Sequence, residues 1–152
     1  MEQIALTIFT GILIAAATSW ITVHLSLRQF REEKWWERKA NAYSNILDAL
    51  HKTKKISDEH LQAGYKYKDV PDERDKELRE LAKESREELL RAVDVGAFLL
   101  CNEAVEVLKD YDDQTDALHE QPTWYDYIDA DNTICHRTLK KLIIIARKDL
   151  KQ

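Results

Sequence analysis

The feature that most constrains this chain is an apolar, uncharged stretch near its N-terminus. Residues 4–27 contain no Asp, Glu, Lys or Arg. As an α-helix this stretch would extend roughly 36 Å at about 1.5 Å per residue, more than the ~30 Å hydrocarbon core of a bilayer. Because a backbone in lipid must satisfy its own hydrogen bonds, the stretch predicts a transmembrane helix or a signal peptide that is removed.

The residues around the stretch favour an uncleaved anchor. A secretory signal starts with basic residues, whereas this chain starts with an acidic Glu2. The three alanines at 15–17 have the form of a cleavage site, but apolar residues continue to Leu27. A cleaved signal and a buried helix are the alternatives. No basic residue precedes the stretch, and Arg28 and Arg31 follow it, so we expect the N-terminus outside and residues 28–152 in the cytoplasm.

One face of the predicted span carries a small residue at every fourth position. These residues are Thr7, Gly11, Ala15 and Ser19. Small side chains let two helix backbones approach closely, and packing must hold membrane helices together because lipid provides no hydrophobic drive. The row therefore predicts a homo-oligomer that assembles in the membrane. The alternative is that small residues are simply frequent in membrane helices.

The composition of residues 28–152 predicts one helical domain. The whole chain has 3 Gly and 2 Pro, and 34% of its residues are charged, which is typical of helices with few turns. Residues 28–64 show apolar spacings of three and four, which predicts a long membrane-proximal helix. Helix starts are expected near Pro71 and Thr123. The predicted fold is all-α, with a tail and transmembrane helix at 1–27 and a cytosolic bundle of about four helices.

Two apolar features are expected to lie in packed interfaces. Trp36 is roughly 13 Å beyond Leu27 along a straight helix, so we expect core or subunit packing rather than contact with lipid headgroups. Residues 95–101 are the most apolar run outside the span, and we place them at the centre of the core. Asn102 then has the character of an N-cap for the following helix.

Two basic clusters are candidates for contact with an anionic small molecule. They are Lys52, Lys54 and Lys55 in the long helix, and Arg137, Lys140 and Lys141 near the C-terminus. A solvated helix face is the simpler interpretation of the first cluster, and interaction with the helix dipole is the simpler interpretation of most of the second.

No sequence motif indicates an enzyme, a cofactor or a metal site. There is no Gly-rich phosphate loop, no H-E-x-x-H and no EF-hand loop. The acidic residues between Asp110 and Glu120 have no diagnostic metal spacing, and a solvated face is the simpler interpretation. Cys101 and Cys135 are far apart and fit reduced thiols. The net charge of −5 argues against binding of a nucleic-acid duplex.

Three segments together carry a resemblance. They are residues 34–39 (KWWERK) leading to Ala42 and Tyr43, residues 95–98 (VGAF) followed by Glu103 and Ala104, and residues 146–150 (ARKDL). The chain resembles small, uncharacterised bacterial single-pass inner-membrane proteins with a cytosolic helical domain. More loosely, its layout is similar to membrane effectors of anti-phage defence systems. The resemblance implies a shared fold and supplies no catalytic residues.

Two functional hypotheses follow. In the first, the chain self-associates in the membrane, and a ligand or partner bound by the cytosolic domain changes how the membrane helices act on the bilayer. The absence of Gly and Pro between residues 12 and 63 favours mechanical coupling of this kind. In the second, the chain is an anchored adaptor whose helical domain recruits a protein partner, and the span is only a tether.

Overall fold

Four α-helices make up most of the protein. The computed structural model describes residues 2–66 and 70–151, except for the side chains of residues 2, 4–10, 12 and 13. Helix α1 spans Glu2–Tyr65, α2 spans Asp72–Gly96, α3 spans Asn102–Asp116 and α4 spans Trp124–Asp149, with a short 3-10 helix at Ala117–Glu120. These ranges contain no β-strand. The prediction of an all-α fold with about four helices is confirmed.

The chain divides into two compact units. The N-terminal unit is Met1–Glu37, and the C-terminal unit is Arg38–Gln152. The N-terminal unit contains the first part of α1, and the C-terminal unit contains the rest of α1 together with α2, α3 and α4. The domain boundary that the sequence places between residues 27 and 28 stays a prediction.

The predicted membrane span falls in the N-terminal unit. Among the side chains that the structure describes, no helix is both long enough and apolar enough to cross a membrane. The predicted transmembrane helix therefore has no support in this part of the chain. The side chains of residues 4–10, 12 and 13, which belong to the predicted span, lie outside the described set.

The core of the C-terminal unit is formed by one apolar face from each helix. In α1, Tyr43, Ile46 and Leu50 recur at intervals of three and four residues, so they project from one side, and each is almost fully buried. Burial of a side chain of this size contributes about 1.5–3 kcal/mol. The other helices supply Leu89, Leu108, Tyr111, Ile134, Cys135, Leu142 and Ile145 to the same cluster.

The helix starts predicted near Pro71 and Thr123 are confirmed. Pro71 immediately precedes α2, whose first turn carries Asp72, Glu73 and Asp75, where carboxylates interact favourably with the helix dipole. Thr123 is the N-cap of α4, and its hydroxyl oxygen accepts a hydrogen bond from the backbone N–H of Asp126 over 3.1 Å. A cap of this kind stabilises a protein by about 1 kcal/mol.

The apolar run at 95–101 is not the centre of the core. Val95 is 61% exposed and Phe98 is 66% exposed, because the run forms the end of α2 and the turn before α3. Only part of it, including Leu99 and Leu100, is buried. The N-cap prediction is wrong by one position: Asn102 is the first residue of α3, and Cys101 occupies the N-cap position.

Trp36 is not part of the core either. Its exposed fraction is 53%, and that of Trp35 is 49%. Packing of Trp36 into the core of its own chain is therefore a wrong prediction. Packing against another subunit stays a prediction.

A buried carboxylate connects three helices of the C-terminal unit. Asp149 Oδ1 accepts a hydrogen bond from Lys39 Nζ over 2.6 Å, and Oδ2 accepts one from Tyr43 Oη over 2.7 Å. The backbone N–H of Cys101 donates to the same Oδ2 over 3.3 Å. Burial raises the pKa of Asp149, but the hydrogen bonds from Lys39 and Tyr43 outweigh it, so the pKa lies below its ordinary value. This carboxylate therefore stays ionised and holds α1, α4 and the start of α3 together.

Candidate functional site

Residues from all four helices line a cavity in the C-terminal unit. Its volume is about 360 Å³, which lies within the range of small-molecule sites. Most of the exposed surface of its wall is apolar, and the aliphatic side chains come from α1, α2 and α4, among them Ile56, Leu89 and Ile128. We call it the interhelical cavity. Its charged and polar groups include Ser57, Lys83, Arg86, Tyr111, Asp112, Tyr127 and Asp131.

Helical periodicity brings these polar residues to the same place. In α4, Tyr127 and Asp131 are four residues apart and therefore lie on one face of the helix. In α1, Ser57 lies four residues beyond Thr53, which also lines the cavity. Helices α1 and α4 thus present polar groups to the cavity along a face that is otherwise packed in the core.

Asp131 is the most unusual group in the cavity wall. Its exposed fraction is 9%, and its Oδ2 accepts a hydrogen bond from Ser57 Oγ over 2.7 Å. Burial raises the pKa of Asp131, and the Ser57 hydrogen bond and the charge of Arg86 only partly oppose this effect. A carboxylate in such surroundings is destabilising unless another group compensates its charge.

The second oxygen of Asp131 has no partner in the described part of the chain. Oδ1 accepts no hydrogen bond from any described residue. Every fully buried side-chain nitrogen or oxygen in that part does have a hydrogen-bond partner. Oδ1 is therefore not fully buried, and Asp131 is one of the residues that line the interhelical cavity.

Two tyrosine hydroxyls accompany the carboxylate. Tyr111 is 7% exposed, and neither its hydroxyl nor that of Tyr127 forms a hydrogen bond with a described residue. Burial raises the pKa of both tyrosines, and the negative charge of Asp131 raises each further. Both hydroxyls therefore stay protonated and are free to donate or accept a hydrogen bond.

Arg86 is a basic residue of the cavity wall. Its side chain is about half exposed, and its terminal nitrogen lies 3.0 Å from Asp116 Oδ1. An exposed ion pair of this kind contributes about 0.2–1 kcal/mol. A polar group of a ligand can therefore compete with Asp116 for the guanidinium.

The six basic residues predicted to contact an anion do not line this cavity. Lys52 lies 2.6 Å from Glu88, and Lys54 pairs with Asp58, which also accepts a hydrogen bond from Asn132. The remaining four are exposed, namely Lys55, Arg137, Lys140 and Lys141. Among them, Arg137 donates a hydrogen bond to Gln114. Anion contact at these residues stays a prediction.

The predicted oligomerisation row is partly described. Gly11, Ala15 and Ser19 are exposed, and the side chain of Thr7 lies outside the described set. A Cβ added to Gly11 would have no neighbour within 4 Å. The three described residues of the row are thus not packed against another part of the described chain, and self-association stays a prediction.

The acidic residues at 110–120 behave as a solvated face. Asp110, Asp112, Asp113 and Asp116 are all exposed. Within the described residues, no group of three or more His, Cys, Asp or Glu side chains is placed to hold a metal ion.

Sequence reasoning missed the polar residues of the interhelical cavity. One signal was present in α4, where Asp131 lies on the same face as the apolar Ile128, Ile134 and Cys135. A charged residue within an apolar stripe is rare unless it has a partner or a function.

Comparison with known proteins yields no relative. No family model, no curated protein and no solved structure matches the chain. The resemblance to bacterial inner-membrane proteins stays a prediction, and the function has to be argued from the residues.

Proposed function

We propose that the chain is a single-pass inner-membrane protein that self-associates and couples a ligand-sensing helical domain to the membrane. Residues 4–27 lie in the bilayer with the N-terminus outside, and the C-terminal unit lies in the cytoplasm. Ligand binding in the C-terminal unit changes the arrangement of the associated membrane helices and thereby acts on the bilayer, as in a defence-type effector.

One observation carries the membrane part of this proposal. The large apolar side chains described between residues 20 and 30 are each more than half exposed: Trp20, Ile21, Val23, Leu25, Leu27 and Phe30. Burial of each such side chain contributes about 1.5–3 kcal/mol, so a surface of this kind favours an apolar environment. The absence of charged residues from 4 to 27 extends that surface towards the N-terminus, and lipid is the environment that surrounds a helix on all sides.

The proposed location is tested by alkaline extraction of membranes from cells that express the full chain. We expect the protein to stay in the membrane pellet. Ala16→Arg places a charge at the middle of the stretch, at a cost of about 2.5–3.5 kcal/mol, and should move part of the protein into the supernatant. Gln29→Arg adds the same charge just beyond the stretch and should leave the protein in the pellet. Complete extraction of the wild-type protein would contradict the proposal.

Self-association is tested by replacing small residues of the row with larger ones. Gly11→Leu combined with Ala15→Leu separates two backbones that pack at this face and should abolish oligomers. Ala16→Leu combined with Ala17→Leu adds similar volume away from the row and serves as the control. If both double variants keep the oligomer of the wild type, the row does not form the interface.

An anchored adaptor is the second candidate, and a surface of the C-terminal unit favours it. Tyr65, Trp124 and Tyr125 are exposed, and the Tyr65 and Tyr125 rings lie 6.3 Å apart. Exposed aromatic residues are enriched in protein interfaces. Replacement of residues 4–27 by an unrelated membrane anchor separates the two functions: an adaptor keeps its cellular activity, and the coupled effector loses it.

A further inference from the structure

We propose that the interhelical cavity binds a small organic cation, namely an ammonium or amidinium group on an aromatic or branched apolar body, with Asp131 as its counter-ion. This inference names the ligand class for the proposed function. It rests on that function in one respect, because it treats the C-terminal unit as the part that binds the ligand. It replaces the anionic signal expected from the basic clusters with a ligand of the opposite charge.

The unpartnered oxygen of Asp131 is the first argument. Asp131 is nine-tenths buried and lines the cavity, and Ser57 donates to only one of its oxygens, so the other has no hydrogen-bond partner among the described residues. A buried carboxylate whose charge is only partly compensated, here by Arg86, costs free energy. An N–H group of a cationic ligand would supply both the missing hydrogen bond and the missing charge, and charge-assisted bonds are roughly twice as strong as neutral ones.

The tyrosines are the second argument. Tyr111 and Tyr127 line the same cavity, and their hydroxyls have no hydrogen-bond partner among the described residues. An ammonium group has three N–H donors, so a single carboxylate oxygen leaves two to be satisfied, and the tyrosine hydroxyl oxygens are acceptors. Aromatic rings beside a cation add a further attraction.

The wall of the cavity defines the rest of the ligand. Ile56, Leu89, Leu90 and Ile128 are apolar and would surround an apolar body. Arg86 and Lys83 lie on the same wall and disfavour a second positive charge near α2. The ligand therefore carries one cationic end near Asp131 and an apolar remainder.

The basic residues of the wall do not favour an anion beside Asp131. The carboxylate of Asp131 would repel an anionic group there, and burial increases that repulsion. Arg86 already contacts Asp116. Preference for an anionic probe would therefore contradict this proposal and favour the anionic ligand that the basic clusters predict.

Three probes of nearly equal shape test the proposal. They are 2-phenylethylamine, 2-phenylethanol and phenylacetate, which differ in charge but share the aromatic ring. Each is titrated calorimetrically into the full-length protein in detergent micelles. We expect the amine to bind about tenfold more tightly than the alcohol, because its bond to Asp131 is charge-assisted. Phenylacetate should bind more weakly than the alcohol.

Asp131→Asn identifies the responsible group. The amide oxygen can still accept the Ser57 hydrogen bond, so the fold is preserved and only the charge is lost. The preference for amine over alcohol should disappear. Asp129→Asn removes the same charge from an exposed position of α4 and should leave the preference intact. Amine that partitions into micelles gives the same background in all variants, so it does not affect the comparison between variants. Titration of each probe into protein-free micelles gives the background for the comparison between probes.

Ala82→Leu provides a second variant that does not alter Asp131. Ala82 lines the cavity, and the larger side chain occupies space that a ligand needs. This variant should bind neither the amine nor the alcohol. Circular dichroism shows whether each variant keeps the helical content of the wild type.

Three results would overturn the proposal. The first is equal binding of amine and alcohol by the wild-type protein, and the second is an unchanged amine preference in Asp131→Asn. The third is tighter binding of phenylacetate than of the amine, which would indicate an anionic ligand. None of these results depends on membrane extraction, so failure of the ligand proposal is distinguishable from failure of the membrane anchor.

Discussion

Asp149→Asn is predicted to destabilise the C-terminal unit by removing the charge that connects α1 and α4. In the wild type, Lys39, Tyr43 and the backbone N–H of Cys101 all donate to the carboxylate. An amide has one oxygen and one NH₂ group, so its NH₂ group must face at least one of these donors. Lys39 also loses its counter-ion, and because its side chain is only 18% exposed, water compensates its charge only partly.

The magnitude follows from this geometry. Removal of one partner of a buried ion pair costs about 3–5 kcal/mol. Because the Lys39 ammonium group can still reach water, the lower end applies, and we expect a loss of about 3 kcal/mol. For a unit of this size that corresponds to a decrease of roughly 10 °C in Tm. Thermal denaturation of the full chain, followed by near-ultraviolet circular dichroism, measures the change in tertiary packing.

Two further variants isolate the ion pair. Asp113→Asn removes an exposed carboxylate and should change stability by no more than about 0.5 kcal/mol. Lys39→Met combined with Asp149→Asn removes the unpaired ammonium as well, so the double variant should lose less than the sum of the single variants by about 1 kcal/mol or more. Additive losses, or an Asp149→Asn loss equal to that of the control, would refute the reasoning.

The same carboxylate gives a signed dependence on pH. The pKa of Asp149 is lowered in the folded state. Its contribution is therefore complete above the unfolded pKa of about 3.9 and is lost as the pH falls through the lower folded pKa. The difference in the free energy of unfolding between the wild type and Asp149→Asn should therefore persist in buffers of pH 5–7. It should shrink only in more acidic solution.

The remaining predictions concern single positions. Asp131→Asn should raise Tm at neutral pH without ligand, because the raised pKa of Asp131 means that its charged form destabilises the folded state, and the gain should vanish as the pH falls through that pKa. Replacement of a helical Gly by Ala ordinarily stabilises a protein by about 0.5–1 kcal/mol, but Gly64→Ala should not, because its Cβ would lie 2.7 Å from the Tyr125 ring. The Cβ of Gly96→Ala meets only ordinary contacts at 3.6 Å, so this variant should be tolerated. Denaturant titration measures both changes in stability. Thr123→Ala should cost about 1 kcal/mol in the same titration through loss of the α4 cap.

The sequence was sufficient for features that depend on local chemistry. The low Gly and Pro content and the apolar spacing predicted the helical fold, and Pro71 and Thr123 marked the starts of α2 and α4. The start of α3 was missed by one residue. There the Asp149 carboxylate accepts a hydrogen bond from the Cys101 N–H, and the two residues are 48 positions apart in sequence. Contacts of this separation leave no local pattern.

The interhelical cavity was beyond sequence reasoning for the same reason. Its polar groups come from four helices, and Ser57 and Asp131 are 74 positions apart. The basic residues form clusters in the sequence, and these clusters predicted contact with an anion. However, solvated helices ordinarily carry exposed clusters of charge. An isolated Asp131 within an apolar stripe was the better signal.

Native mass spectrometry of the full-length protein, extracted from membranes in mild detergent, tests the central claim most directly. The account predicts a defined oligomer for the wild type and a monomer for the variant with Gly11→Leu and Ala15→Leu. A wild-type monomer, or an oligomer of the same size in both proteins, would contradict assembly through the membrane helix.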